Sequence, residues 1–133
     1  MVIVLDCNIW IRLALNRQLD LIADLSDSFV DIASCSELRA ELTDVLSRPK
    51  FTKFIPDDYA EKIAEFHDLV TRTFETEPID KVVTDEKDNY LFSLCRQSGA
   101  EYLVTGDKLL LKVIRYNETK VVTLALFKRI LDI

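Results

Sequence analysis

Val2-Ile3-Val4-Leu5-Asp6-Cys7-Asn8 follows the first Met: four apolar residues stop at a carboxylate, and an apolar segment resumes at Ile9-Trp10-Ile11. A run this short and this β-branched reads as a strand buried on both faces, the pattern of a parallel sheet. In open α/β sheets ligands bind at the carboxyl ends of the strands, which is where Asp6 is expected. A carboxylate there is costly to desolvate unless positive charge meets it. Whether other acids converge on Asp6 depends on the elements downstream.

Asn8 is expected to N-cap a helix running through Leu15, followed by a second short helix from Gln18 to Ser26 and a strand over Phe29-Val30-Asp31-Ile32-Ala33. Ser34 with Glu37 has the spacing of a capping box. It would open a helix striped by Leu38, Leu42, Val45 and Leu46, with Glu41 just off the stripe's edge. Pro49 is expected to stop that helix. Pro56-Asp57 then opens a long packing helix with Tyr59, Ile63, Phe66, Val70 and Phe74 along one face. Glu75 to Val83 reads as extended, with Pro78 limiting any strand to a short or edge one. Asp85 to Ser98 forms a helix with Tyr90, Leu91, Leu94 and Cys95 facing inward and Gly99 at a left-handed C′ position. Tyr102-Leu103-Val104-Thr105-Gly106-Asp107 is a second apolar strand ending in a carboxylate. Leu109 to Ile114 is a short helix, Val121-Val122 a last strand, and Thr123 caps a final helix through Leu131. Strands alternate with helices and no hairpin signal stands out. The expectation is an α/β fold, a central parallel β-sheet flanked by helices on both faces, with residues 1–133 as one domain.

Composition agrees with that class. Hydrophobic residues make up 49% of the 133 and charged residues 30%, ordinary for a globular domain. No apolar run approaches the roughly 18 residues of a membrane span, and no signal-peptide pattern precedes the first strand. Cys7, Cys35 and Cys95 are widely spaced in apolar surroundings, which suits reduced core thiols in a cytoplasmic protein. A net charge of −6 argues against a general nucleic-acid coat. It leaves room for an acidic centre that holds cations beside a small basic patch. His67 lies beside the packing stripe of its helix and reads as structural.

Four acids stand out by position: Asp6 and Asp107 at strand ends, Asp88 in the first turn of a helix, and Glu41 leaning in from a stripe margin. Strand ends and the helix N-termini that follow them share one edge of a parallel sheet. Carboxylates about 4 Å apart repel by roughly 1 kcal/mol per pair in water and about 4 near a protein surface. A divalent cation relieves this, and an all-oxygen set without His or Cys suits Mg²⁺ or Mn²⁺. Such ions activate water and stabilise in-line phosphoryl chemistry. Plainer roles remain open for each. Asp6 and Asp107 can cap the next helix, Asp88 can favour a helix dipole, and Glu41 can be solvated. Asp85 reads more as an N-cap than as a ligand. Asn8 can cap or orient Asp6, and Thr105 can end a strand or donate to an acid. Arg48, Lys50 and Lys53 interleave with Phe51 and Phe54, a pattern that suits nucleic acid as well as a solvated loop. Lys108 stands where it could reach a phosphate.

These stretches resemble the PIN-domain family of metal-dependent ribonucleases, in particular its toxin components of prokaryotic toxin–antitoxin pairs. The resemblance rests on Val4-Leu5-Asp6-Cys7-Asn8, on Glu41-Leu42 with Val45-Leu46-Ser47-Arg48-Pro49-Lys50-Phe51, on Asp85-Glu86-Lys87-Asp88-Asn89, and on Tyr102-Leu103-Val104-Thr105-Gly106-Asp107-Lys108. It implies that Asp6, Glu41, Asp88 and Asp107 bind the metal, supported by Asn8 and Thr105. It also implies cleavage of single-stranded RNA by a metal-activated water, a homodimer, and inhibition by a small antitoxin. Leu109 departs from the pattern, because many relatives carry an acid there; a fifth ligand and a filled second metal site are therefore in question. Two other functions fit parts of the chain. One is a PIN fold kept as an RNA- or protein-binding module with little turnover. The other is a haloacid-dehalogenase-like phosphatase, disfavoured because Asn8 stands where its second Asp belongs.

Overall fold

Val2–Leu5 forms β1 as expected, with Ile3, Val4 and Leu5 all buried. Successive strand residues point to opposite faces, so their joint burial means that both faces of the sheet are covered. The computed structural model describes residues 1–133, with every side chain but that of Lys87. The later elements are α1 (Cys7–Leu15), α2 (Asp20–Asp27), β2 (Asp31–Ser34), α3 (Ser36–Leu46), α4 (Pro49–Thr52), α5 (Tyr59–Val70) and β3 (Thr71–Thr73). A 3-10 turn (Glu86–Asp88) leads into α6 (Asn89–Ser98), β4 (Tyr102–Val104), α7 (Lys108–Leu111), β5 (Arg115–Tyr116), β6 (Thr119–Val122) and α8 (Leu124–Leu131). The strands make a six-stranded sheet in the order β3-β2-β1-β4-β6-β5, parallel throughout except for β5 against β6. No helix among the described residues is long and apolar enough to cross a membrane.

The order of the strands creates the crevice. From β1 the chain leaves through α1 and α2 toward β2, whereas from β4 it leaves through α7 toward β5 and β6. β1 and β4 are neighbours, so their carboxyl ends feed connections that diverge, the switch point at which α/β sheets open a cleft. Leu5 pairs with Val104, and the Asp6 N–H donates to the Val104 carbonyl at 2.9 Å. Asp6 therefore sits beside Thr105 at the mouth of that cleft. Underneath, α3 buries Leu38, Leu42 and Leu46 and packs against α1 and α5. Tyr59 ties α5 to α1, its hydroxyl donating to the Ala14 carbonyl at 2.7 Å. The Cys7, Cys35 and Cys95 thiols are unpaired and buried, as expected.

Several local expectations are corrected. Asp6, not Asn8, caps α1: its Oδ1 accepts from the Cys7 N–H at 2.7 Å, because helix follows strand without a linker. The Ser34–Glu37 capping box does not form. Ser34 is the buried last residue of β2, Cys35 occupies the cap position, and Glu37 accepts from the Ser36 and Thr76 hydroxyls. Pro49 does not end α3, which stops at Leu46; it opens α4, where its missing N–H costs nothing. The long stripe ends at Val70, and Thr71–Thr73 forms β3 parallel to β2, leaving Phe74 beyond it. Asp88 rather than Asp85 holds the cap position of α6. A hairpin does exist: β5 and β6 turn at Asn117-Glu118, with Asn117 at φ +53°, a conformation Asn tolerates.

Candidate active site

Asp6 is 6% exposed, and both of its oxygens are engaged. Oδ1 accepts from the Cys7 N–H, and Oδ2 accepts from the Thr105 hydroxyl at 2.7 Å. Thr105 in turn accepts from the Asp107 N–H at 3.0 Å, so one buried hydroxyl links the two strand-end acids. Asp107 N-caps α7, its Oδ1 accepting from the Leu109 N–H at 2.8 Å. On the other wall, Glu41 accepts a 2.5 Å hydrogen bond from the Tyr90 hydroxyl, which joins α3 to α6. Asp88 stands at the head of α6 without a side-chain capping bond. The cleft, about 560 Å³, is lined by Asp6, Glu41, Asp88 and Asp107 together with Asn8, Arg12, Arg48 and Lys50.

The electrostatics agree with that convergence. Burial pushes the Asp6 carboxyl up to about 6, opposed by its bonds from Thr105 and Cys7 and reinforced by the charges of Glu41 and Asp107. Asp88 is also pushed up to about 6, first by burial and then by Asp6, Asp85, Asp107 and Glu41. Among the described residues, Asp6, Glu41, Asp88 and Asp107 form no salt bridge. Arg48 instead pairs with Asp44 at 3.0 Å, an exposed pair of small energetic weight. Lys50 lies 5.6 Å from the centroid of the Phe51 ring.

The donor chemistry suits a hard cation, since the cleft offers carboxylate and amide oxygens. Among the described residues no three acidic, histidine or cysteine side chains are grouped to hold an ion jointly. Mg²⁺ does not need such a cage, because it commonly takes one or two carboxylates and keeps several waters. The residues present therefore fit an ion held by a pair of these acids with water completing its shell.

Most of the residues singled out from the sequence meet here: Asp6, Asn8, Glu41, Asp88, Asp107, Arg48 and Lys50 line the cleft, and Thr105 is buried behind it. Asn8 does not orient Asp6; its Nδ2 instead lies 4.0 Å from where a Cβ on Gly106 would stand. Asp85 precedes the 3-10 turn, its carbonyl accepting from the Asp88 N–H at 3.1 Å. Lys53 and Lys108 are exposed and lie outside the lining. Two contributors were missed. Arg12 is four residues after Asn8 on α1, so helical spacing alone puts it on the same face. Tyr90 was read as core, and its hydroxyl leaves no signature in an apolar pattern.

An acid-lined cleft at the switch point of a mostly parallel sheet defines an α/β protein built to gather negative charge around a bound ligand. The chain belongs to the PIN-domain family, whose members are generally nucleases: the family model described as PIN domain matches residues 2–109. Two solved structures share its fold. One is the crystal structure of VapBC2 from Rickettsia felis bound to a DNA fragment from their promoter, at 16% identity and TM-score 0.61, covering 91% of this chain and 97% of that one. The other is PAE2754 from Pyrobaculum aerophilum, at 18% identity and TM-score 0.62, covering 100% of this chain and 91% of that one. No curated protein matches the sequence.

Proposed function

We propose that residues 1–133 act as one nuclease domain, a cytoplasmic endoribonuclease that cleaves single-stranded RNA with Mg²⁺ or Mn²⁺. The observation that carries this is the meeting of Asp6, Glu41, Asp88 and Asp107 in one cleft, none of them in a salt bridge among the described residues. A pair drawn from Asp6, Asp88, Asp107 and Glu41 would hold the ion, with the other acids reaching it through its waters; when bound it would activate water and offset charge on the phosphate. The protein's own part is positioning. The Cys7 N–H and Thr105 hydroxyl fix both oxygens of Asp6, and Tyr90 fixes Glu41, so neither acid must reorganise as substrate binds. Arg12, Arg48 and Lys50 would meet the RNA backbone on the cleft's other side. The fold shared with VapBC2 supports a toxin role with an antitoxin partner, and a homodimer is proposed on the sequence resemblance alone.

The binding-module reading is favoured by Leu109, 51% exposed at the start of α7 where many relatives carry an acid. One experiment separates the two. Labelled single-stranded RNA is incubated with Mn²⁺, Mg²⁺ or EDTA and either the native protein or Asp6→Asn. Metal-dependent cutting that disappears in Asp6→Asn supports the nuclease. RNA bound but left intact in every metal would sink it in favour of the module.

A further inference from the structure

A second cavity adjoins the acid cleft and has a different character. It measures about 490 Å³, within the range of small-ligand pockets. Its walls are the Ala14–Leu15 end of α1, Phe51 and Phe54 around α4, and Tyr59 at the start of α5, with Arg17 and Lys50 contributing charge. Leu15, Lys50 and Phe51 line both cavities, so the two adjoin across these three residues. The floor is fixed, because the Tyr59 hydroxyl is already committed to the Ala14 carbonyl. Phe54 belongs to the lining and is 80% exposed rather than packed in the core.

We propose that this cavity is a base-binding subsite. It would take one unstacked base of a single-stranded RNA whose neighbouring phosphate lies in the acid cleft, and so rests on the nuclease reading above. Three features select this occupant. The cavity adjoins the acid cleft, sharing Leu15, Lys50 and Phe51 with it. Its rings offer stacking faces, and every nucleobase has a π-face to match them. Its cations, Arg17 and Lys50, complement the phosphates on either side of the base in a chain whose net charge is −6. Tyr59's hydroxyl is spent internally, which leaves the flexible Arg17 and Lys50 as the side-chain donors of the lining. The subsite holds a base by stacking and discriminates weakly among sequences.

The test pairs a change in the protein with a change in the RNA. Anisotropy of a fluorescein-labelled ten-nucleotide RNA reads binding on the Asp6→Asn protein, so that intact RNA is measured. Cleavage is read on protein that retains Asp6. On the binding background, Phe54→Ala is expected to weaken affinity about fivefold to a hundredfold, the range spanned by one base–aromatic stack, and Phe54→Trp to restore it. Leu69→Ala, 84% exposed toward the far end of α5, serves as the control and leaves binding unchanged. An abasic residue at one position should weaken binding similarly and should add nothing once Phe54 is Ala. Equal affinity of the native and Phe54→Ala surfaces, with cleavage intact, overturns the subsite while the nuclease stands. Non-additive losses without cleavage in any metal uphold the subsite and overturn the nuclease. If Phe54→Ala spares RNA binding but weakens a partner protein, the cavity is a protein-docking site and the proposal falls.

Discussion

Asp6→Asn should make the metal-free protein more stable, an unusual outcome for a change at a buried, fully hydrogen-bonded site. Asp6 is 6% exposed and has no cation beside it among the described residues. Burial raises its carboxyl from 3.8 to about 6 against the opposing help of Thr105 and Cys7. The folded protein thus keeps a proton that the unfolded chain releases between those values. Stability from this group rises as pH falls through that interval, and above pH 6 the ionised carboxylate costs the fold about 3 kcal/mol. Asn removes the charge and can still accept from Cys7 and donate to Thr105. The buried Thr105 hydroxyl, which already accepts from the Asp107 N–H, then has no acceptor for its own proton, a cost of about 1 kcal/mol. The net gain is about 2 kcal/mol at pH 7.5, roughly 6–10 °C in Tm for a domain of this size.

The assay is thermal unfolding by circular dichroism in EDTA, from pH 7.5 down to pH 4, on both proteins. The native-minus-variant difference isolates Asp6 from carboxylates that behave oppositely. Asp68, for example, is held below its ordinary value by Arg39 and His67 and loses stability on acidification. The gain from the variant should be largest at pH 7.5, about a third of that at pH 5, and gone by pH 4. Millimolar Mn²⁺ should raise the native Tm by mass action and leave Asp6→Asn where it was. If Asp6→Asn melts at or below the native temperature in EDTA at pH 7.5, the cleft is not a site of unbalanced charge. The argument for a cation would then fail at its root.

Tyr90→Phe deletes the 2.5 Å bond to Glu41 while keeping the ring. The cleavage rate should fall about tenfold with RNA KM unchanged and the Mn²⁺ dependence shifted upward; an unchanged metal dependence would make Tyr90 merely structural. Thr105→Val is nearly isosteric but removes the donor to Asp6 and the acceptor of the Asp107 N–H. Urea melts should show a loss of about 1–3 kcal/mol from the stranded polar groups, and cleavage should drop with it; a neutral variant would refute the linkage. Ser34→Ala strips His67 Nε2 of its 2.6 Å partner inside the core. A similar loss is expected by urea melt. Because burial lowers the His67 pKa, the contribution of this group to stability falls as pH drops below 6.5, opposite in sign to that of Asp6.

What could be read from the chain depended on whether a local pattern carried its own cause. β1 and β4 are apolar runs ended by an acid, and Gly99 follows a helical stripe; burial and the left-handed φ of +69° are local consequences of those residues. β3 carries no such mark. Thr-Arg-Thr pairs because β2 offers it an open edge, which is a tertiary fact. The same holds for Ser34, whose spacing to Glu37 imitates a cap. Its burial at a strand end assigns the hydroxyl to His67, 33 residues away in sequence. The β5–β6 turn has Asn without Gly, which weakened the only hairpin signal it had.

The acids divide along the same line. Asp6 was visible because a carboxylate directly after a buried strand is out of keeping with its surroundings, and that misfit is the source of its cost; Asp107 was visible beyond the apolar run of β4, from which Thr105 and Gly106 separate it. Glu41 and Asp88 needed helix faces and a turn to be placed, and Tyr90 and Arg12 could be added only once α1, α3 and α6 had positions. A fold optimised for stability alone would carry Asn at position 6, since the sheet, the Thr105 bond and the α1 cap would all survive the change. A cation that spends time in the cleft, as proposed above, would account for keeping a charged carboxylate there against burial and three acidic neighbours. That is why the melting temperature of Asp6→Asn bears on function as directly as any cleavage assay.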